Sequence, residues 1–247
     1  MITSNKTISI LAIRVNAGVI TVSRVNSALI EGLFMAVVSL EPLELAALLC
    51  SRVCHDVISP VGAIVNGLEV LEEEKDESMR EFAHDLIKKS AKQASARLQF
   101  ARIAFGAAGS AGAAIDLGDA VQIAKGFIED DRIKLEMDAP RVLLPKNQVK
   151  LLLNLLMTAT STIPRGGVIR AKVDVEGEQG RFDIRATGTS ARIPTNVEAL
   201  LRGESETGTI DAHAIQPYYT GLMARSAGMT ISLSLNGDEA TIQAAVI

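Results

Sequence analysis

The chemistry in this chain concentrates at His55, with Asp56 directly after it and Pro60 five residues on. An imidazole nitrogen is a good nucleophile when neutral, and with a reference pKa near 6.5 about half or more of the ring is neutral near pH 7. A carboxylate that takes a hydrogen bond from the other ring nitrogen fixes the tautomer, and Asp56 is placed for that part. A proline inside a helix costs ~3 kcal/mol or more and leaves the carbonyl of residue 56 without its N–H partner. Such a cost in an otherwise well-made helix marks a functional site. His84 and His213 are isolated in the sequence and read as ordinary surface or structural residues.

These residues need a helix to hold them, and the pattern supplies one from Pro42 onward. Ala47, Cys50, Cys54, Val57, Val61, Ile64, Leu68 and Leu71 alternate three and four apart, the seam of a bundle or coiled-coil helix. With Cys54 on the seam, His55 points away from it into solvent. A second helix is expected over 77–105, with Ala83, Ile87, Ala94, Leu98, Ala101 and Phe105 at compatible spacing. The acidic turn at 72–77 joins the two into an antiparallel hairpin. One hairpin leaves its seam half exposed. Pairing two across a two-fold axis closes a four-helix bundle, so a homodimer is expected.

The chain has 247 residues, 48% of them hydrophobic, enough for one large domain or two small ones. Aromatics are 3%, so the core is aliphatic and alanine-rich. A net charge of −4 without a clustered basic excess argues against nucleic acid. Cys50 and Cys54 rule out a disulfide framework or an all-cysteine zinc site and read as small apolar groups on one helix face. The stretch from Ala28 to Leu40 holds Glu31 and is shorter than the ~20 residues of a membrane span. No membrane and a cytoplasmic setting are therefore expected.

Three segments follow: an extension over 1–40, the hairpin over 41–106, and a mixed domain over 113–247, with a small-residue linker at 106–112. The extension carries two alternating runs around Asn16-Ala17-Gly18, a candidate hairpin, and Met35 precedes a cleaner opening. The mixed domain reads as helix 117–128, strand 132–137, helix 146–162, strands 167–175 and 181–187, a short helix near 196–201, helix 212–226, and strands 229–235 and 240–246. Asn236-Gly237-Asp238 joins the last two. The expected class is α+β, with helices on one face of a sheet.

His55-Asp-Val-Ile-Ser-Pro60 resembles the H-box of two-component histidine kinases and phosphotransferases, in which an exposed histidine on a dimeric hairpin carries a phosphoryl group. Residues 154–167 resemble the N-box helix and its exit, and residues 182–194 the adenine-recognition strand and loop of the kinase ATP-binding domain. The departures matter as much. Asn154 is kept, but Thr158 replaces the asparagine that should hold magnesium, Ala186 the carboxylate for the adenine amino group, and Ser190 a loop glycine. Pro217-Tyr-Tyr-Thr-Gly-Leu222 stands where a glycine-rich phosphate loop is expected, and the lid shrinks to the surroundings of 203–208.

A hairpin with an H-box joined to an eroded ATP-binding fold resembles the ChpT family of alphaproteobacterial histidine phosphotransferases. The resemblance implies a phosphorelay shuttle. Phosphoryl passes from the receiver-domain aspartate of a hybrid kinase to His55, then to response regulators governing the cell cycle. The receiver brings the magnesium, so the chain needs no cofactor or metal of its own. Docking is expected along Ile58, Ser59, Gly62, Ala63 and Asn66, where the small Gly62 and Ala63 admit a partner's backbone or Gly62 merely relieves crowding beside Pro60. Two other readings compete with this one: a kinase that still uses ATP, and a dimeric scaffold that binds receivers without chemistry.

Overall fold

The computed structural model describes residues 10–16, 19–25, 36–106 and 114–246. The linker expected at 106–112 falls, after Gly106, outside the described residues, as do Ala17 and Gly18 of the first turn. Strands β1 (Ile10–Asn16) and β2 (Val19–Val25) pair antiparallel with Asn16 opposite Val19, as the two alternating runs imply.

Helices α1 (Pro42–Glu73) and α2 (Glu77–Ala104) form the hairpin. Pro42 sits in the first turn of α1, where its missing N–H costs nothing. Asp76 caps α2 by accepting from the backbone N–H of Ser78 and Met79, satisfying two of the donors a helix start leaves open. Arg80 reaches back across the turn to the carbonyls of Leu71 and Glu74, closing the end of α1.

A short strand β3 (Ala36–Val37) precedes the hairpin. After it, helices and strands alternate: β4 (Ala114–Asp116), α3 (Leu117–Ile128), β5 (Ile133–Asp138), β6 (Leu143–Pro145), α4 (Lys146–Thr162), β7 (Gly167–Glu176), β8 (Gln179–Thr187), α5 (Val197–Arg202), β9 (Glu204–Ser205), α6 (Ile215–Ser226), β10 (Met229–Asn236) and β11 (Glu239–Val246). A five-stranded sheet runs β10-β11-β8-β7-β5, antiparallel except for the parallel pair β5–β7. Its buried side chains alternate along each strand, with Ile169, Ala171 and Val173 on β7 and Phe182, Ile184 and Ala186 on β8. That face packs on α4, whose leucines 151–153, 155 and 156 are all fully buried. The other face carries ion pairs such as Arg170–Glu136 and Arg185–Asp183. The fold is α+β, one sheet face covered by helices. Gly237 takes the positive φ of 57° that the 236–238 turn requires.

Two features couple the hairpin to this sandwich. The last turns of α2 enter its core: Phe100 is fully buried and stacks on Phe127 at 3.9 Å between ring centres. In addition, β3 pairs antiparallel with β9, and the Val38 N–H donates to the Gly203 carbonyl at 2.8 Å. Residues 36–40, grouped by their sequence with the extension, are therefore a strap on the second domain. A small core of Leu200, Ile210, Ile215 and Tyr218 receives Val38 and Leu40 from the strap and Leu45, Leu48 and Leu49 from α1.

By length and composition alone, α1 is apolar enough to cross a membrane, a property that an expectation built on residues 28–40 leaves out. Only 6% of that apolar stretch is buried within the described chain, although Val57, Ile64 and Leu71 are half-buried beside Pro60 and Gly67.

Candidate phosphoacceptor site

Helix α1 presents three faces. Pro60 and Gly67 are buried against α2, with Val53, Val57, Ile64 and Leu71 half-buried beside them. Gly67 is needed there, because a Cβ would come within 2.7 Å of Ile87 Cγ1. A second face leaves Cys50, Cys54, Val61, Val65 and Leu68 exposed. The seam read from the sequence thus divides. Val57, Ile64 and Leu71 serve the hairpin, while Cys50, Cys54, Val61 and Leu68 face outward. The third face bears His55.

His55 is exposed, as its position off the seam implies. Ser59, Gly62 and Asn66 continue the same stripe in the open, Ile58 is 69% exposed at its edge, and Ala63 is half-buried. Nothing lies within 4 Å of where a Gly62 Cβ would stand, so that glycine relieves no crowding within the described chain.

Asp56 does not bond to the imidazole. Its Oδ2 accepts from Arg52 Nε at 3.2 Å, one turn earlier, and the pair is three-quarters buried. Adjacent residues on a helix point about 100° apart, whereas residues four apart share a face, which is why the ion pair with residue i−4 wins. The backbone at Asp56 is more informative. Helix α1 runs unbroken through Pro60, and the Asp56 carbonyl that the proline orphans accepts instead from Arg97 Nη1 of α2. The cost of the proline is thus met across the hairpin.

The structure brings a further ring to the site. His213, on the turn that opens α6, stands 6.0 Å from His55 between ring centres with the planes tilted 50°. No sequence signal announces this meeting, since the two residues lie in different domains. His84 is exposed on α2.

The region that the sequence likens to a nucleotide site is crossed by hydrogen bonds between α4 and α6. Asn154 is fully buried, and its Nδ2 donates to the Ala104 carbonyl at 3.2 Å and the Lys150 carbonyl at 2.9 Å. Thr158 Oγ1 donates to the Asn154 carbonyl at 3.0 Å. From α6, Gln216 Nε2 lies 2.9 Å from that same carbonyl, 3.3 Å from Thr158 Oγ1 and 2.9 Å from Thr220 Oγ1. Ala186 is buried in the sheet core and offers only a methyl. Ser190 holds φ at 64°, the left-handed backbone that a glycine adopts at less cost. Gly221 lets α6 pass directly over the Leu201 carbonyl, leaving no room for a Cβ. Among the described residues no group of three or more His, Cys, Asp or Glu converges as a metal site would need.

Residues 117–239 match the family described as histidine phosphotransferase C-terminal domain. A protein phosphotransferase ChpT of Brucella abortus (strain 2308) is 50% identical over 207 residues, 84% of this chain and 98% of that one. A solved structure of a bacterial phosphotransferase is 48% identical, with TM-score 0.77 over 84% of this chain and 98% of that one. A histidine kinase domain from Erythrobacter litoralis is more distant, at 19% identity and TM-score 0.42 over 75% of this chain and 95% of that one. A hairpin with an exposed histidine joined to an α+β sandwich, and identity at this level along most of the chain, place the protein in the ChpT family of histidine phosphotransferases.

Proposed function

We propose that the chain is a dimeric phosphorelay shuttle. His55 takes phosphoryl from a receiver-domain aspartate of a hybrid histidine kinase and passes it to receiver domains of response regulators, in the cytoplasm and in control of the cell cycle. The observation that carries this reading is the exposed stripe below His55, open at Ser59, Gly62 and Asn66, where a partner's backbone can approach the helix. In transfer, the lone pair of the unprotonated His55 nitrogen forms the N–P bond as the aspartyl O–P bond breaks and the carboxylate leaves with its electrons. Such transfer depends mainly on positioning and on neutralising charge. The receiver supplies magnesium, and the stripe from Ile58 to Asn66 supplies alignment.

The outward face of α1 supports the dimer. Val61, Val65 and Leu68 are 43–48% exposed, and Met79, Phe82 and Leu98 are exposed on α2. The apolar row Val61, Val65 and Leu68 on one face of α1 marks an interaction site, and a second hairpin would cover it as a four-helix bundle. Use of ATP is disfavoured because Gln216 ties α6 to α4 and Ala186 presents no acceptor. Losing one buried acceptor costs ~1–3 kcal/mol, before any loss of phosphate contacts.

The test is to mix the purified protein with a phosphorylated receiver domain. Acid-labile, base-stable label on this chain is expected, and none on His55→Ala. Label that persists in His55→Ala, or label from ATP without a partner, refutes the proposal.

A further inference from the structure

His213 is held where it is by more than its own contacts. Asp211 Oδ1 accepts from the backbone N–H of His213 at 2.9 Å and of Ala214 at 2.8 Å, which fixes the turn. Ile210 and Ile215 on either side of it are buried in the small core that also takes Leu45, Leu48 and Leu49 of α1. The Tyr218 hydroxyl accepts from the Leu40 N–H at 3.3 Å and donates to the Val38 carbonyl at 3.2 Å, fastening the strap just before α1 to α6. The helix that bears His55 is therefore anchored to the helix behind His213 two turns before the histidine. Both rings are exposed, yet both stand on rigid mounts.

At 6.0 Å between centres the rings are within the range of aromatic pairs, but no hydrogen bond joins them. Unmodified, they have little to offer each other. A phosphoryl group on His55 changes that, because it adds a charge of about −1.5 to −2 and three strong acceptor oxygens in the space beside His213. A histidine carries at least one N–H donor in either protonation state. A donor to a charged acceptor makes a shorter and stronger bond than one to a neutral group.

We infer that His213 is a second phosphoryl-binding residue, its ring N–H donating to an oxygen of phospho-His55, so that the kinase-like domain contributes a side chain to the transfer site. The inference rests on His55 being the phosphoacceptor. It gives the domain that follows the hairpin a part in the chemistry. The bond exists only in the phosphorylated state, so its effect is on the balance between charged and uncharged histidine, not on folding.

The full chain can be charged with phosphoramidate, with no partner protein. The His55 nitrogen forms the N–P bond as the bond from phosphorus to the amide nitrogen breaks and ammonia leaves. At fixed phosphoramidate and ammonium, phosphorus NMR quantifies phospho-His55, which against the known protein concentration gives the ratio of phosphorylated to free His55, with the label mapped by mass spectrometry. His213→Ala and His213→Phe, the second keeping a ring without a donor, should lower that ratio about tenfold and move the phospho-His55 resonance. His213→Gln, which keeps an N–H at similar reach, should stay within about twofold of the parent. Equal melting temperatures check that all three fold alike, as an exposed position allows. If Ala and Phe leave ratio and resonance unchanged while His55 charges normally, the inference fails and the shuttle stands. If Gln falls as far as Ala, donation is refuted. If the parent accepts phosphoryl at His55 neither from phosphoramidate nor from a phosphorylated receiver, the inference and the shuttle fall together.

Discussion

Arg97 is the residue through which the hairpin tolerates a proline close to His55, and that role can be measured. Pro60 removes the N–H that the Asp56 carbonyl would accept from, and Arg97 Nη1 replaces it from α2. Replacing Arg97 with Met keeps much of the stem and deletes the donor. Breaking a hydrogen bond from a charged group costs ~1.5–3 kcal/mol. The site is only partly buried, so water recovers part of this and the low end, about 1.5 kcal/mol, is expected. For a chain of this size that lowers the melting temperature by about 3–6 °C. The informative comparison repeats the change in a Pro60→Ala background, where the restored backbone N–H of the substituted residue takes up the Asp56 carbonyl by itself. Arg97→Met should then cost about 0.5 kcal/mol or less, a coupling of about 1 kcal/mol. Urea denaturation of the four proteins gives the cycle directly. An equal cost of Arg97→Met in both backgrounds would show that Arg97 acts through packing or charge alone, and the account of Pro60 would be wrong.

Further outcomes follow from the same geometry. Val61→Glu with Leu68→Glu places charge on the outward face of α1 and should yield a monomer by sedimentation equilibrium, with the helical signal kept; an unchanged mass refutes that dimer face. Gly62→Ala meets open space and should stabilise by up to about 1 kcal/mol in urea melts while slowing transfer from a receiver. Gly221→Ala, by contrast, drives a methyl into the Leu201 carbonyl and should destabilise the chain strongly, as thermal melts would read. The Ser78 hydroxyl, then the N–H groups of Met79 and Ser78, hold the Asp76 carboxyl below its ordinary 3.8. Because the folded value is the lower one, the contribution is full above the ordinary range and lost as pH falls through the depressed value. The melting-temperature gap between the parent and Asp76→Ala should therefore be open at pH 7 and close in acid.

The local signals of this chain are strong and the distant ones silent. Helical periodicity locates α1 and α2 to within a residue or so, because a buried stripe must recur every turn. The five strands of the large sheet show in the same way through their alternation, whereas the two- and three-residue strands β4, β6 and β9 are too short to carry a pattern. His55 stands out through its neighbours, and its exposure follows from the register. Adjacency is a poor guide to Asp56, which turns to Arg52. Nor can the pattern divide the α1 seam between the face toward α2 and the outward face, since both are apolar.

What tertiary structure alone decided are the meetings between residues far apart in the chain: Arg97 with the Asp56 carbonyl, Gln216 with Asn154 and Thr158, the strap at 36–40 with Gly203 and Tyr218, and His213 with His55. Each rests on one or a few polar or ring contacts, with no repeat to betray it in sequence. Each becomes favourable only once aliphatic burial has fixed the backbones around it. The composition and periodicity of the sequence dictate that burial, and the burial chooses which side chains face one another.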